Sequence, residues 1–358
     1  MKVGIVGCGA IALNKHIPAI LKSSVASVAA LCAHSPSSAA EALSRCGGSG
    51  VYCCSDYRDI LSDEKIDAVC ICLPNRMHSS VTVEALQSGK HVLCEKPMAC
   101  SAQEAQAMYD AALKYARTLS IGFQNRWTDD AVYLKKLVKQ GELGSIYHID
   151  AVYMRRRALP TWGEFTSDGS GGALLDIGSH IIDLALYIAG DFSPESVMGK
   201  TYNRLMRRGS DCNRWGRWNV ESTCEDSAFA MVRMTSGITV NVSVSWAANI
   251  GDEETMSLRF LGDHGGAELT KNGVCIIREH CGRLESTEAL RSASISGKYT
   301  PETVLETPAD REWKEFISQV RMGEAGNCEQ ALCVSRIIQG IYDSSEQNKE
   351  IIFPFKAL

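Results

Sequence analysis

Over the first third of the chain, short apolar runs alternate with stretches of helical periodicity. Strands are predicted at residues 2–6, 27–32, 68–73, 91–94 and 119–123. Helices are predicted between them, at residues 11–23, 37–46, 57–62, 78–88 and 101–115. Strands that alternate with helices are typical of right-handed crossovers, so this part of the chain is expected to form a doubly wound parallel sheet of α/β class.

The second part of the chain has a different pattern. Apolar and polar residues alternate through much of 197–282, which predicts an open, mostly antiparallel sheet with one buried face. Helices at 128–140, 176–189 and 326–345 and a short strand at 351–353 complete this second α/β region. With 358 residues the chain is long enough for two domains, predicted as 1–122 and 123–358.

Composition narrows the classes of protein. Charged residues make up 22% of the chain and the formal net charge is -5, so there is no electrostatic footprint for nucleic acid. No apolar run approaches the roughly 20 residues that span a bilayer, and the first residues lead into a strand rather than a signal peptide. The fifteen cysteines are scattered and form no C-x-x-C pair. A cytoplasmic protein with reduced thiols, and with no nucleic-acid or membrane partner, is expected.

The first chemical signal is the motif G-C-G-A-I-A at residues 7–12, which follows the first strand and opens a helix. Gly7 permits a tight turn, Gly9 lets the backbone approach a pyrophosphate, and Ala12 allows close packing of the helix on the sheet. Backbone N–H groups at the helix start provide positive potential for the phosphates. The motif in this position predicts a nicotinamide dinucleotide as cofactor.

The choice between NAD and NADP stays open. In dinucleotide-binding sheets the second strand usually ends in an acidic residue that binds the ribose hydroxyls of NAD. Here the strand is followed by Ala33, His34 and Ser35, without a carboxylate. His34 and Ser35 are candidates to stand beside a 2′-phosphate, although neither is an arginine. The expected cofactor is therefore NAD(P).

A second signal is C-E-K-P at residues 94–97, at the end of a predicted strand. Open α/β sheets bind ligands beyond the carboxyl ends of their strands. Lys96 is placed there to donate a charge-assisted hydrogen bond to a substrate hydroxyl and to stabilise a developing alkoxide. Pro97 constrains the turn and is a candidate for a cis bond. The alternative is that Glu95 and Lys96 form an ordinary solvated ion pair.

A third signal lies in the segment G-G-A-L-L-D-I-G-S-H-I-I-D-L at residues 171–184. Asp176, His180 and Asp183 are spaced i, i+4 and i+7 and are expected on one face of a helix. Oxidation of a secondary alcohol needs a base for the hydroxyl proton while hydride leaves, and His180 suits that role. Asp176 can orient His180 or pair with Lys96. The alternatives are a satisfied polar network in the core and a metal site; no metal is expected, because hydride transfer needs none.

Together these motifs resemble those of the glucose–fructose oxidoreductase, inositol dehydrogenase and rhizopine-catabolism (Gfo/Idh/MocA) family. The resemblance rests on G-C-G-A-I-A, on L-P-N followed by His78, on C-E-K-P and on the segment 171–184, and it covers nearly the whole chain. It implies a Rossmann domain that binds a nicotinamide cofactor. It also implies a second α/β domain, whose open, mostly antiparallel sheet forms the substrate pocket and often a dimer contact.

The resemblance implies roles for individual residues. Lys96, Asp176 and His180 match the catalytic lysine, aspartate and histidine of the family. The missing acidic residue after the second strand departs from the NAD-preferring pattern, so cofactor preference is not carried over. The cofactor contacts expected from the motifs and the resemblance together are Gly7, Gly9, Ala10, Ile11, Ala12, His34, Ser35, Leu73, Pro74, Asn75, His78, Glu95, Lys96 and Gln124.

Other stretches, among them the arginine run at residues 155–157, resemble a bacterial subgroup that oxidises the C3 hydroxyl of glycosides before a separate lyase acts. Arg126, Arg156 and Trp162 are predicted sugar contacts, since guanidinium groups and a flat aromatic ring suit a pyranose. Lys96, Asp176 and His180 complete the predicted substrate-binding set. At least one arginine of the run is expected to be solvated, and which one faces the pocket stays open.

The expected function is an NAD(P)-dependent oxidoreductase that moves a hydride between a secondary hydroxyl, C3 in the subgroup, of a sugar, glycoside or cyclitol and the nicotinamide. One alternative is a redox-neutral glycosidase that keeps NAD bound, oxidises C3 transiently and eliminates the aglycone. Another is a non-catalytic cofactor-binding sensor, which would not need Lys96, Asp176 and His180 together. The expected partners are a small sugar or glycoside and copies of the chain, as a homodimer or homotetramer.

Overall fold

The computed structural model describes residues 1–47, 50–160, 171–208, 211–216, 224–289 and 306–354. The chain forms two compact units, Met1–Trp127 with Val304–Leu332 and Thr128–Thr303 with Cys333–Leu358. The predicted division between residues 122 and 123 lies close to the end of the first segment. The predicted single boundary does not include the return of Val304–Leu332 to the first unit. A local sequence pattern does not tell which sheet a helix packs against.

The first unit is built on a sheet of six parallel strands. In chain order these are β1 (Lys2–Val6), β2 (Ser27–Cys32), β3 (Tyr52–Cys54), β4 (Ala68–Ile71), β5 (His91–Glu95) and β6 (Leu119–Gly122). Their spatial order is β3-β2-β1-β4-β5-β6, and each neighbouring pair is parallel. The doubly wound parallel sheet predicted from the sequence is confirmed. Strand β3 is an addition, since three residues are too few to show a period.

The second unit contains a sheet of nine strands. These are β7 (Ile146–Arg155), β8 (Pro194–Tyr202), β9 (Ser227–Met234), β10 (Thr239–Ser245), β11 (Glu254–Gly262), β12 (Gly266–Thr270), β13 (Gly273–His280), β14 (Arg283–Glu288) and β15 (Ile351–Ile352). The spatial order is β14-β13-β12-β11-β7-β10-β9-β8-β15. Neighbouring strands are antiparallel except β7 and β10, which are parallel, so the mostly antiparallel sheet is confirmed.

The helices lie where the periodicity predicts them, with small shifts at their ends and with one addition, α8. The α-helices are α1 (Ile17–Lys22), α2 (Pro36–Arg45), α3 (Tyr57–Ser62), α4 (Asn75–Gln87), α5 (Ala102–Lys114), α6 (Asp129–Lys139), α7 (Ser179–Ala189), α8 (Pro308–Met322) and α9 (Cys328–Gln347). Two π-helical turns precede α1 and α7, at Ala12–His16 and Leu174–Gly178. Among the described helices, none is long and apolar enough to cross a membrane.

Helix α8 belongs to the first unit and is not predicted from the sequence. It begins after Thr307, whose hydroxyl accepts from the Asp310 N–H while the Asp310 carboxylate accepts from the Thr307 N–H. Its buried Trp313 and Phe316 pack into the apolar core beneath the parallel sheet. The apolar residues of α8 recur with helical spacing but stand among charged residues, so the signal is present and weak.

Strand β7 lies at the centre of the second sheet and positions much of the candidate site. Its Ile149 and Ala151 pair with Val240 and Val242 of β10 and are fully buried. Helix α7 packs on β7 and is also mostly buried. An apolar helix on an apolar sheet face has few polar side chains, and each of these needs a partner or a cavity. The opposite face of the sheet carries exposed Met198, Phe229 and Met231.

Replacement of Phe316 by alanine tests the packing of α8. The Phe316 side chain is 1% exposed, so F316A removes buried apolar contacts and leaves a cavity. We expect the free energy of unfolding to fall by about 3–5 kcal/mol, measured by urea unfolding of the purified protein. The control is M322A in the same helix, where the side chain is 61% exposed. A similar free energy for F316A and M322A would contradict the packing.

Candidate functional site

The glycine loop after β1 has the conformation that a dinucleotide site requires. Gly7 has a φ of 96°, and a Cβ atom at this position would lie 2.5 Å from the Cys72 carbonyl oxygen. Only glycine therefore fits between β1 and the end of β4. Ala12 is fully buried, so the helix that follows packs closely on the sheet. These are the two roles predicted for the first glycine and the alanine of the motif.

The space above the loop is open at Gly9. A Cβ built on Gly9 would meet no atom within 4 Å, and Ala10 and Ile11 beside it are exposed. The start of the helix directs its first N–H groups and the positive end of its dipole toward this space. A concave backbone surface of that kind fits the pyrophosphate of a dinucleotide, and Gly7, Gly9, Ala10, Ile11 and Ala12 would hold it.

The end of β2, where the ribose of a dinucleotide would lie, carries no acidic side chain. His34 is exposed, and the Ser35 hydroxyl lies 2.6 Å from the Ser37 hydroxyl at the start of α2. Neither arrangement selects between a ribose hydroxyl and a 2′-phosphate. Cofactor preference is therefore not encoded here by the usual carboxylate.

His78 joins the two loops that carry the other predicted cofactor contacts. Its ring is buried, with Nδ1 2.7 Å from the Pro97 carbonyl oxygen and Nε2 2.8 Å from the Leu73 carbonyl oxygen. Burial lowers the pKa of this imidazole. The ring connects the segment of Leu73, Pro74 and Asn75 at the start of α4 to the Lys96–Pro97 turn, whose peptide bond is cis. A direct contact of His78 with a dinucleotide stays a prediction.

Glu95 belongs to a buried ion network rather than to a solvated pair with Lys96. Its Oε1 atom accepts from Lys15 Nζ at 2.6 Å and lies 2.8 Å from His16 Nε2. Burial by itself would raise the pKa of Glu95, but Lys15 and His16 outweigh it and hold that pKa well below its ordinary value. The solvated pair considered as an alternative is wrong, because Glu95 is only 9% exposed. Its second oxygen accepts from the Lys96 N–H at 3.2 Å.

The His16 ring also lies near two thiols, in an arrangement that resembles a metal site. Potential ligand atoms of His16, Cys70 and Cys72 all lie within 4.8 Å of one another. Both nitrogens of His16 are already engaged, Nδ1 with the Trp313 indole N–H at 3.1 Å and Nε2 with Glu95. A metal would have to displace these bonds, so the chemistry of the group favours a structural role.

In the second unit, Asp176 lies beside Trp246 and Arg155, neither of which is predicted from the sequence to contact it. Its Oδ2 atom accepts from the indole N–H of the fully buried Trp246 at 2.9 Å. The Arg155 Nη1 atom stands 4.0 Å from the same oxygen. These contacts fix the position of the carboxylate.

The expectation that Asp176, His180 and Asp183 share one face of a continuous α-helix is wrong in its first step. Asp176 lies in the π-helical turn Leu174–Gly178, and α7 begins only at Ser179. A π-turn has a wider spacing than an α-helix, so the i, i+4 relation does not hold across it. His180 and Asp183 both lie in α7 at i, i+3, with Asp183 buried and His180 partly exposed.

The start of this helical segment is anchored by Glu225. One carboxylate oxygen accepts both the Leu174 N–H and the Tyr342 hydroxyl, each at 2.9 Å. Burial raises the pKa of Glu225 to about 6. Gly172 lies so close to the Glu225 backbone that a Cβ on Gly172 would be 2.1 Å from the Glu225 carbonyl oxygen. Glu225 thus positions the turn that carries Asp176.

The three consecutive arginines at the end of β7 have three different environments. Arg155 stands next to Asp176, donates to the Tyr153 hydroxyl at 3.1 Å and lies over the Trp215 ring. Arg156 donates to the Gly251 carbonyl at 2.8 Å and its side chain is 44% exposed. Arg155 is therefore the arginine beside Asp176, and a sugar contact of Arg156 stays a prediction.

Arg157 connects the end of β7 to the segment that follows β10. Its guanidinium donates to the carbonyls of Ala247 and Ala248 at 2.9 and 3.0 Å and so ties the end of β7 to the end of β10. The sequence leaves open how the environments of Arg155, Arg156 and Arg157 differ. The parallel pairing of β7 and β10 sets this difference.

The remaining predicted contacts are dispersed. Arg126 is 3% exposed and lies in the first unit, where its Nη1 atom donates to Gln330 Oε1 at 2.6 Å. Gln124 begins the 3₁₀ turn Gln124–Trp127 in the same unit. Lys96 is also in the first unit and is partly exposed. Trp162 lies outside the described residues.

Two family models match the chain. One described as "Oxidoreductase family, NAD-binding Rossmann fold" matches residues 1–123, and one described as "GFO/IDH/MocA C-terminal domain" matches residues 131–268. Among curated proteins, D-glucoside 3-dehydrogenase of Escherichia coli is 29% identical over 356 residues, which cover 98% of this chain and 97% of that protein. Levoglucosan dehydrogenase of Pseudarthrobacter phenanthrenivorans is 34% identical over 172 residues, 47% of this chain and 44% of that protein.

Solved structures share the fold. A levoglucosan dehydrogenase in complex with NADH and levoglucosan superposes with a TM-score of 0.82 at 21% identity, over 99% of this chain and 100% of that one. At that identity the likeness shows the architecture of both units and does not extend to the substrate.

Gly9 offers a direct test of the cofactor cradle. Because a Cβ at Gly9 meets nothing within 4 Å, G9A is expected to fold with an unchanged Tm. The added methyl occupies the space of the pyrophosphate, so NADH affinity should fall at least about tenfold in a fluorescence titration. The contrasting variant is G7A, which should lower the Tm because its Cβ collides with Cys72. Wild-type NADH affinity in G9A would contradict the cradle.

Glu225 predicts a pH dependence of stability. A carboxyl group whose pKa rises from 4.5 to about 6 on folding holds its proton more tightly in the folded state. Its contribution to stability is therefore present at low pH and is lost as pH rises through 6, by about 2 kcal/mol. E225Q keeps the acceptor for Leu174 and Tyr342 without the charge, so urea unfolding at pH 4.5 and pH 7.5 should show this loss only in the wild type. An equal pH dependence in both proteins would overturn the assignment.

Proposed function

The chain belongs to the Gfo/Idh/MocA oxidoreductase family, and from this we propose that it is a sugar or glycoside dehydrogenase that passes a carbinol hydride to a nicotinamide cofactor. The observation that carries the proposal is the fixed carboxylate of Asp176, held by Trp246 and Arg155, in a chain whose first unit presents an open glycine cradle. A buried tryptophan committed to one carboxylate oxygen is an expensive arrangement unless that carboxylate has a task.

Each of the three predicted catalytic residues has a distinct role in the proposal. His180 accepts the proton of the substrate hydroxyl, since imidazole exchanges protons near neutral pH. Lys96 donates to the same oxygen and stabilises the alkoxide as the carbon–hydrogen bond breaks. Asp176, already fixed, orients the hydroxyl or the imidazole. When bound, the nicotinamide supplies the hydride acceptor.

Relatives support a sugar rather than another alcohol as substrate. The relative that matches nearly the whole chain is named D-glucoside 3-dehydrogenase, and a second relative is named levoglucosan dehydrogenase. We therefore place the reacting hydroxyl at C3 of a pyranoside. NAD is the cofactor supported by the matched NAD-binding family model, while the missing carboxylate at residues 33–35 leaves NADP to be tested beside it.

Two further properties belong to the proposal. The exposed Met198, Phe229 and Met231 on the open sheet face support contact with a second copy of the chain, as a homodimer or homotetramer. All fifteen cysteines are free thiols, which supports a reducing, cytoplasmic location.

The test is an absorbance assay for reduced nicotinamide at 340 nm. Purified protein is mixed with pyranosides, inositols and aryl glycosides and with NAD, NADP or no added cofactor. The proposal expects reduction with at least one pyranoside and formation of its 3-keto product. Aglycone release without net reduction would replace it with the redox-neutral glycosidase. Neither reduction nor release with any sugar would contradict both.

His180 supplies the mutational test. H180A should lower kcat by a factor of 10² or more, because it removes the base, while NADH affinity in a fluorescence titration stays that of the wild type. Wild-type turnover in H180A would remove His180 from the catalytic role. D183N is a contrasting variant. Asp183 is buried, so D183N should lower the Tm, whereas H180A should lower kcat.

A further inference from the structure

The second unit contains a cavity of about 860 Å³ at the point where β7 and β10 end. Its volume lies within the range of roughly 300–1,000 Å³ typical of small-molecule sites. Arg156, Arg157, Arg208 and Arg214 line it, and Glu253 is the acidic residue among the described lining side chains. The wall is therefore strongly positive in a protein whose formal net charge is -5.

The positive charge in the cavity is incompletely neutralised by the protein itself. Glu253 is 80% exposed and lies 3.6 Å from Arg156, so its charge is largely screened by water. Within the described part of the chain, the Arg208 guanidinium has no hydrogen-bond or ion-pair partner. Clustered cations in a concave surface raise the local concentration of anions and bind them when water is displaced.

The cavity wall is built rather than incidental. Arg208 ends the 3₁₀ turn Met206–Arg208. The N–H groups of Leu205, just before the turn, and of Met206, its first residue, donate to the buried Asp226 carboxylate at 2.6 and 2.9 Å. Buried carboxylates are retained where they fix backbone geometry. The Asp226 contacts therefore hold the turn that presents Arg208.

The opposite wall is anchored in the same way. The Arg214 N–H donates to the Arg157 carbonyl at 2.9 Å. The buried Asn213 side chain accepts from the Leu159 N–H and donates to the Leu159 carbonyl, at 2.9 and 3.0 Å. Both walls thus start from backbone that buried polar groups hold in place, and the arginine side chains extend from it to line the cavity.

A short chain of charged contacts connects the cavity to the candidate catalytic carboxylate. Arg214 lies 4.0 Å from Glu254, and Glu254 lies 3.6 Å from Arg155, which stands 4.0 Å from Asp176. The Trp215 ring, next to Arg214, lies 5.5 Å from the Arg155 guanidinium. A run of charged side chains therefore joins the arginine cavity to Asp176.

Resting on the proposed function, we infer that the substrate carries an anionic group, a phosphate or a carboxylate, on the sugar or its aglycone, and that this group binds in the arginine cavity. Guanidinium groups match the oxygens of both anions with paired hydrogen bonds. A neutral glycoside would leave the cavity's positive charges without a counter-charge. The cavity thus determines which sugars are substrates, while Lys96, Asp176 and His180 act on the hydroxyl.

The first test measures anion binding without turnover. Inorganic phosphate is titrated into the protein by calorimetry in low-salt buffer, with wild type and with R208Q/R214Q. We expect saturable binding that weakens with added salt and falls about tenfold or more in the double variant, since hydrogen bonds to charged groups are lost. The control is R278Q, a substitution of a half-exposed arginine outside the cavity that pairs with Glu142. No phosphate binding, or equal binding in R208Q/R214Q and wild type, would overturn the inference.

The second test compares three matched substrates in the nicotinamide assay. These are a methyl hexoside, its 6-phosphate and the corresponding hexuronide. The inference expects a higher kcat/KM for one or both anions than for the neutral sugar, through a lower KM, and a collapse of that ratio in R208Q/R214Q. The two anions distinguish phosphate from carboxylate. Turnover of the neutral sugar at an equal or higher kcat/KM than both anions would overturn the inference alone. Phosphate binding without reduction by any sugar would instead contradict the proposed function.

Discussion

The Glu95 carboxylate is almost entirely out of contact with water, and a buried charge is tolerated only where opposite charges and hydrogen bonds surround it. Lys15 and His16 provide them from the helix that follows the glycine loop. Helix α8 contributes to the same cluster through Glu312, 3.0 Å from Lys15, and through the Trp313 bond to His16. The Lys96 N–H also bonds to Glu95. One buried network therefore fixes the helix after the glycine loop, the Lys96–Pro97 turn and α8 relative to one another.

The second unit meets a similar need with different electrostatics. Among the described residues, Glu225 forms no ion pair. It accepts hydrogen bonds from Leu174 and Tyr342, and burial raises its pKa to about 6. Glu95, held by charge pairing, and Glu225, with its raised pKa, are therefore the anchors of the two units. The cost of burying each carboxyl group is met mainly by opposite charge in the first case and by hydrogen bonds in the second.

Most of the fold and part of the site follow from local sequence. Five of the six parallel strands, the glycine loop and the Lys96–Pro97 turn lie where periodicity and motif predict them. Helix α8 and strand β7 were missed for different reasons. The apolar residues of α8 recur with helical spacing but stand among charged residues, whereas those of β7 do not alternate regularly with polar ones. The roles of Trp246 and Glu225 were missed because nothing in their own neighbourhood names Asp176 or Leu174 as a partner.

The sequence by itself determined the class of protein, the order of its two units and the chemical types at its candidate site. These depend on residues close together in the chain, through side-chain period, glycine conformation and turn chemistry. The tertiary structure alone decided that Arg155 stands beside Asp176, that Arg157 ties two strand ends together, and that Arg208 and Arg214 share one cavity. Those pairings are set by strand register and by the return of distant segments, and a local pattern carries no record of either.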